Sequence, residues 1–520
     1  MRDIVHQQEV STYALLDTAA RYRDTLLRDM VRKARRTIAR AGQDAPWAFL
    51  IRAAQHDPLT VAKFIGILLR NGIEVHQAAA DFLAGNQLYR AGDYVVFLAQ
   101  PNGVLARSLL AEARYPDNAV TRKADGSILP PYDMANFVLA EHMGVIATPV
   151  RDHFTIKTRL LTAVPKPNGA VEGTGAAGWL LSHEDNDAFR ATNRLLANGG
   201  DVYWLREAFT AGGRKLAPGA LWIPSGPAAR PQIEKLAREF GLRFLALKTA
   251  PSGPAWKLRP LHLGLYRRYR GGNMDEGWSR FLLDQWEFPY QRVTVDDIHN
   301  GALDKLDVLL IPHDSLATLM GREEANHQEQ ETKEEPEYPK VFLPPEYRKG
   351  LDKEAIRRIR EFTRGGGGLV LLGGATGLAW KQLGVPVRNV VEGLPNTEYF
   401  CPGSTLRARF DLTHPLAYGM PAEALVLNWA NPVFAILPTV QNNRTTAPIV
   451  YQDRDVLKSG WLIGEKHIAG KAAAVDLAYG KGRIILIGFR CQHRAQTHGT
   501  FKVFFNALYY PAAEPVRLGP

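Results

Sequence analysis

The chain of 520 residues has only two cysteines, Cys401 and Cys491. Two thiols build neither a disulfide framework nor a four-cysteine zinc site. One bridge is the most they allow, and two free thiols are the simpler expectation, because bridging demands a specific geometry. No apolar run approaches the ~20 residues of a membrane-spanning helix. The opening MRDIVHQQEVSTYALL lacks the charged-then-apolar pattern of an export leader. There is no His-Glu-x-x-His and no Gly-x-Ser-x-Gly, so two common hydrolase signatures are missing. His6-Gln7-Gln8-Glu9 has the spacing of a carboxypeptidase-type zinc pair. No strand precedes it to hold it, and chance spacing is expected.

What is present is the composition of a globular protein, 46% hydrophobic, on a chain long enough for several domains. The formal charge of +11 bears on solubility and association, not on fold. Part of it sits in residues 1–42, read as an N-terminal helix. Leu15, Ala19, Tyr22, Leu26, Met30, Ala34 and Ile38 follow a 3.6-residue period up to Gly42. Arg32, Lys33, Arg35, Arg36 and Arg40 crowd its last turns, where cations suit the helix dipole. No aromatic residues interleave them to stack on bases, so no nucleic-acid partner is expected.

The next 200 or so residues contain a repeat. His56–Val96 slides onto His183–Ile223 without a slip: Leu68-Leu69 meets Leu195-Leu196, Asn71-Gly72 meets Asn198-Gly199, Phe82 meets Phe209, and Gly92 meets Gly219. Each copy reads as strand, His-acid pair, helix, Asn-Gly stop, strand and glycine-turned hairpin. Two small α/β units, 43–118 and 172–250, are therefore expected, joined by a connector, 119–171, in which Asp133 is a candidate cap for the helix ending at Gly144. One histidine and one acid per copy, without a third ligand, make a weak metal set; a helix-start role is expected instead.

From 251 to 520, near-continuous apolar strands such as LDVLLIPH, GLVLLGG and GRIILIGFR alternate with helices. That pattern predicts a flavodoxin-like parallel sheet covered on both faces. Residues 322–340, Glu-rich and poor in apolar side chains, are expected to be a disordered insertion. In the helix opening at Asn273, Met274, Trp278, Phe281, Leu282 and Gln285 make one stripe, the expected buried face.

Candidate site residues gather at the strand ends. Asn273 is a helix N-cap, with Asp275 and Glu276 in the first turn. Those carboxylates occupy the positive end that a phosphate would need, so a nucleotide is not expected there. Gly373, Gly374 and Thr376 form the turn after GLVLLGG, where an amidotransferase nucleophile would stand, and no cysteine is present. Arg490, His493, Arg494, Gln496 and His498 crowd another strand end. Together these are expected to ring one crevice.

NMDEGWSRFLLDQWEFPY, LPPEYRKGL, CPGSTLRARFDLTHPLAYGMP and GFRCQHRAQTHGTFKVFFNALYY resemble the C-terminal half of large bacterial zinc carboxypeptidase-family proteins. So do AQHDPL, AGDYVVFLAQP and YDMANFVLAEHMGV. The resemblance implies accessory α/β domains behind a carboxypeptidase A-like domain, the last similar to a class I glutamine amidotransferase domain without its catalytic cysteine. It also implies export. The family's zinc ligands and catalytic glutamate have no matching positions here, so no cofactor is expected in this chain. The expected role is non-catalytic, positioning a peptide-like substrate or a peptidase domain. The alternatives are a zinc metallocarboxypeptidase whose catalytic domain lies outside this chain, or a hydrolase using the 490–498 cluster.

Overall fold

A computed structural model describes residues 2–152, 154–226, 229–269, 273–321, 349–439 and 445–519. The Glu-rich stretch 322–340 lies outside the described residues, as do Gly271 and Gly272. The chain folds into two compact units. One comprises Met1–Gln55, Val61–Ala111 and Ile146–Pro165; the other comprises His56–Thr60, Glu112–Val145 and Lys166–Pro520. The connector 119–171 is thus divided between them, and the second repeat copy shares a unit with the C-terminal sheet.

The first unit opens with two helices, Arg2–Arg21 and Arg23–Ala41, parted at Tyr22. No described residue of either is buried, and Leu15, Tyr22, Leu26, Met30 and Ile38 of the stripe stay exposed. A five-stranded antiparallel sheet follows, in the order Ala147–Val150, Ala48–Ile51, Tyr94–Phe97, His76–Ala78, Thr158–Leu160. The hairpin Phe82–Ala84 with Gln87–Tyr89 stands apart from it.

In the second unit the same local topology recurs. Gly178–Leu181, Leu221–Pro224 and Val202–Leu205 are neighbours in that order, as Ala48–Ile51, Tyr94–Phe97 and His76–Ala78 are in the first copy. The detached hairpin recurs as Phe209–Ala211 with Arg214–Leu216. Backbone conformation repeats as well. Gly72 and Gly199 have φ of 70° and 76°, and Gly92 and Gly219 have 98° and 92°. Glycine adopts these values without the Cβ penalty other residues meet, which is why the matched glycines were so visible in the sequence.

The C-terminal sheet contains β1 (Leu263–Tyr266), β2 (Tyr290–Val293), β3 (Val308–Ile311), β4 (Gly368–Leu372) and β5 (Gly482–Ile487). They lie in the order β2-β1-β3-β4-β5, all parallel, which is the flavodoxin-like order. An antiparallel extension continues from β5 through Ala472–Tyr479. Alternate side chains enter opposite cores. Leu263, Leu310, Leu372 and Ile487 join one cluster with Leu282 and Phe501, whereas Leu309, Leu371 and Leu486 join another with Ile356 and Ile359. Every residue of the helix Phe501–Tyr509 is buried, the polar Lys502 and Asn506 included.

Two local expectations fail. In the helix Met274–Gln285 (α1) the buried face is Glu276, Ser279, Leu282 and Leu283, while Met274 and Phe281 are exposed. Ser279 is tolerated inside because it is bonded: its Oγ donates to Asp275 O (2.7 Å) and accepts from Gln492 Nε2 (3.0 Å). Asp133 does not cap the helix Leu139–Met143, which starts after Val138. It binds Arg494 instead.

Candidate functional site at the carboxyl ends of the parallel strands

The site is built where β1, β3, β4 and β5 end. Asn273 caps α1, accepting from the N–H groups of Asp275 (2.9 Å) and Glu276 (3.3 Å). Its Nδ2 donates to His313 O (3.1 Å) and Asp314 Oδ2 (3.2 Å) just beyond β3. Asp314 also accepts from Arg268 Nε at 2.5 Å. The start of α1 is thereby tied to the end of the neighbouring strand.

Gly373 follows β4 with φ 52°. This is the left-handed conformation on a sharp strand-to-helix turn, the place where hydrolases with such sheets carry a nucleophile. A Cβ here would lie 2.2 Å from His313 Nδ1 and 2.6 Å from Asn431 Nδ2. Gly374 N–H donates to His313 Nδ1 (2.9 Å). Thr376 turns inward, its hydroxyl donating to Gly373 O (2.6 Å). It braces the turn from inside.

Arg490 joins these parts. Its Nη1 donates to Asp275 Oδ2 (2.5 Å) and its Nε to Asn431 Oδ1 (3.2 Å), while Nη2 stands 3.1 Å from His313 Nε2. Asn431 is fully buried. Its amide orientation is fixed, because Oδ1 also accepts from Trp429 N–H (3.0 Å); Nδ2 has no hydrogen-bond partner among the described residues. Burial, reinforced by Arg490, lowers the His313 pKa to about 4, so the ring is neutral at pH 7.

The expected 490–498 cluster disperses. Of the five predicted residues, Arg490 is the one that pairs with the Asp275 carboxylate among the described residues. His493 is buried edge-on to Trp429, its pKa lowered to about 3 by burial and then by Arg490 and Arg494. Arg494 forms a bidentate pair with Asp133 (2.7 and 2.8 Å) and lies over Trp429. Gln496 contributes its backbone, accepting from His498 N–H. His498 packs against Trp286 and Phe501. Glu276 turns into the protein towards Arg280, 3.6 Å away. The reason is geometric: the segment after β5 turns tightly, with Arg494 and Ala495 at positive φ, and successive side chains leave in different directions.

His313, Asp314, Arg268 and Asn431 were missed. A signal existed for the first two, a His-Asp pair directly after the apolar run LDVLLIP. Asn431 had none.

The repeated histidines are structural. His56 Nε2 donates to Gly419 O (2.6 Å), and His183 sits between Gly219 O (2.8 Å) and Asn506 Oδ1 (3.0 Å). The helix start in the first copy is supplied by Asp57, which accepts from Thr60 N–H and its hydroxyl, both at 2.8 Å. Burial, then the neighbouring Asp57 carboxylate, raises the Asp185 pKa from 3.8 to about 8, against the opposing pull of Lys502. A carboxyl whose folded pKa is raised binds more protons folded than unfolded. Stability therefore falls as pH climbs from about 4 to about 8 and levels off above. Asp185→Asn is expected to flatten this slope in denaturant titrations, stabilising the protein at pH 8.5 by on the order of 2 kcal/mol. An unchanged slope would refute the assignment.

Cys401 and Cys491 are buried free thiols. Burial pushes the Cys401 pKa up to about 12 and that of Cys491 higher still, so neither supplies a thiolate at neutral pH. Among the described residues no group of three or more His, Cys, Asp or Glu side chains is placed to hold a metal ion. No helix among them is long and apolar enough to cross a membrane.

No protein-family model and no curated relative matches the chain. Solved structures align with about half of it. One is a ThuA-like protein from Bacteroides uniformis (11% identity, 48% of this chain and 90% of that one, TM-score 0.26). Another, from Thermoplasma acidophilum, is assigned to GMP synthase (11%, 48% and 94%, 0.30). A third is a β-galactosidase from Bacillus circulans (9%, 51% and 33%, 0.28).

Proposed function

We propose that this chain is a binding and positioning module of the zinc carboxypeptidase-like proteins it resembles, holding a peptide-like ligand or a peptidase domain without cleaving bonds itself. The observation that carries this reading is Gly373. The strand-to-helix turn has the backbone conformation of a nucleophile elbow, yet any side chain there would collide with His313 and Asn431. The neighbouring groups are a neutral imidazole, a carboxamide and a paired guanidinium, all able to hydrogen-bond a ligand. Trp429, with Arg490 and Arg494 over its ring, adds a surface suited to a mixed apolar and polar ligand.

The test uses the purified chain with N-acetylated tripeptides. No release of the C-terminal residue above the buffer rate is expected, with or without added Zn²⁺, while calorimetry registers binding. Turnover that a chelator abolishes would overturn the proposal, as would the absence of binding both to the peptides and to a carboxypeptidase domain of the resembled family.

A further inference from the structure

The hydrogen-bond arithmetic around His313 does not close. A neutral imidazole has one N–H and one ring lone pair. Two donors address this ring: Gly374 N–H at Nδ1 (2.9 Å) and Arg490 Nη2 at Nε2 (3.1 Å). Whichever nitrogen carries the proton, one N–H meets another donor with no acceptor between them. Close by, the fully buried Asn431 holds a third donor, Nδ2, with no acceptor among the described residues. Its carbonyl oxygen is already taken by Trp429 N–H and Arg490 Nε. A Cβ on Gly373 would lie 2.2 Å from His313 Nδ1 and 2.6 Å from Asn431 Nδ2, so both groups pack directly against the bare glycine. Against these donors stands the Asp275 carboxylate, which faces Arg490.

Buried donors left without acceptors are costly. An excess of donors beside one guanidinium is the arrangement that receives an anion, and a guanidinium flanked by N–H groups suits a planar oxyanion. We infer that this site takes a carboxylate, drawn in by Arg490, His313 and Asn431, with Asp275 as the internal carboxylate that holds Arg490 in place when no ligand is bound. This rests on the binding-module reading above and names the chemical class of its ligand. With Arg268 paired to Asp314, Arg490 is, among the described residues, the cation placed to exchange one carboxylate for another.

The inference is tested with acetate on the full chain. In Asp275→Asn the internal carboxylate is gone. Acetate at 100 mM is then expected to raise the melting temperature by about 2 °C over the same concentration of chloride, and to do nothing in Asp275→Asn/Arg490→Met. Equal melting in acetate and chloride, or an equal rise in both variants, overturns it. Should Asp275→Asn not fold, the wild-type chain is titrated with acetyl-glycyl-alanine and with its C-terminal amide. The acid is expected to bind at least tenfold more tightly. If acid and amide bind alike, the carboxylate inference falls and the binding module stands. If acetate acts as expected but no peptide binds, the carboxylate site stands and the peptide-like ligand falls.

Discussion

Gly419→Ala is expected to destabilise the second unit by about 3–5 kcal/mol, read as a lower urea midpoint at unchanged slope. Gly419 has φ 74°, a conformation that costs an L-residue roughly 1–2 kcal/mol. The larger part of the effect is steric. A Cβ there would lie 2.1 Å from His183 O and 2.6 Å from His183 Cδ2, against a backbone that cannot step aside. His183 is buried and bonded to Gly219 and Asn506, and Gly419 O itself accepts from His56. The two repeat histidines therefore grip one short segment, and a methyl group at its centre has to displace both. Gly199→Ala separates the two contributions. Gly199 has nearly the same φ, 76°, with nothing within 4 Å of a Cβ, so only the conformational cost of ~1 kcal/mol is expected. Equal midpoints for the two variants would refute the clamp.

Arg490→Met is expected to cost about 3–5 kcal/mol, because it strands Asp275 in a site where both partners are nearly closed to water, 12% and 13% exposed. The decisive measurement is the double-mutant cycle. Removing one member leaves an uncompensated charge in a poorly solvated place, whereas Arg490→Met/Asp275→Leu removes both. The double variant should be more stable than the sum of the singles by about 2 kcal/mol or more, on the order expected for coupled buried charges. Additive losses would mean that the pair is solvated and that Arg490 acts through other contacts. The cycle also bears on function, since a guanidinium held by one internal carboxylate is ready to accept another.

Different parts of the molecule were legible to different degrees. The repeat was readable because its markers are local: Gly72, Gly92, Gly199 and Gly219 each adopt a positive φ, and a glycine in register with a glycine survives where side-chain identity has drifted. The parallel strands were readable because strands buried on both faces must be apolar throughout, as at Val308–Ile311 and Gly368–Leu372. The stripe on α1 was misread. Apolar spacing alone favoured Met274 and Phe281, whereas the packed face carries Glu276 and Ser279, and Ser279 is satisfied only by Asp275 and by Gln492 from a distant segment.

By itself the amino-acid sequence determined the α/β class, the repeat, the helix cap at Asn273 and a turn after β4 that carries no cysteine. Each depends on a residue and its near neighbours. The tertiary structure alone decided the site. It set the strand order that brings His313, Gly374, Asn431 and Arg490 together, and it scattered His493, Arg494, Gln496 and His498 along diverging directions. Contacts across that span of chain follow from sheet order and register, which no short window of sequence encodes.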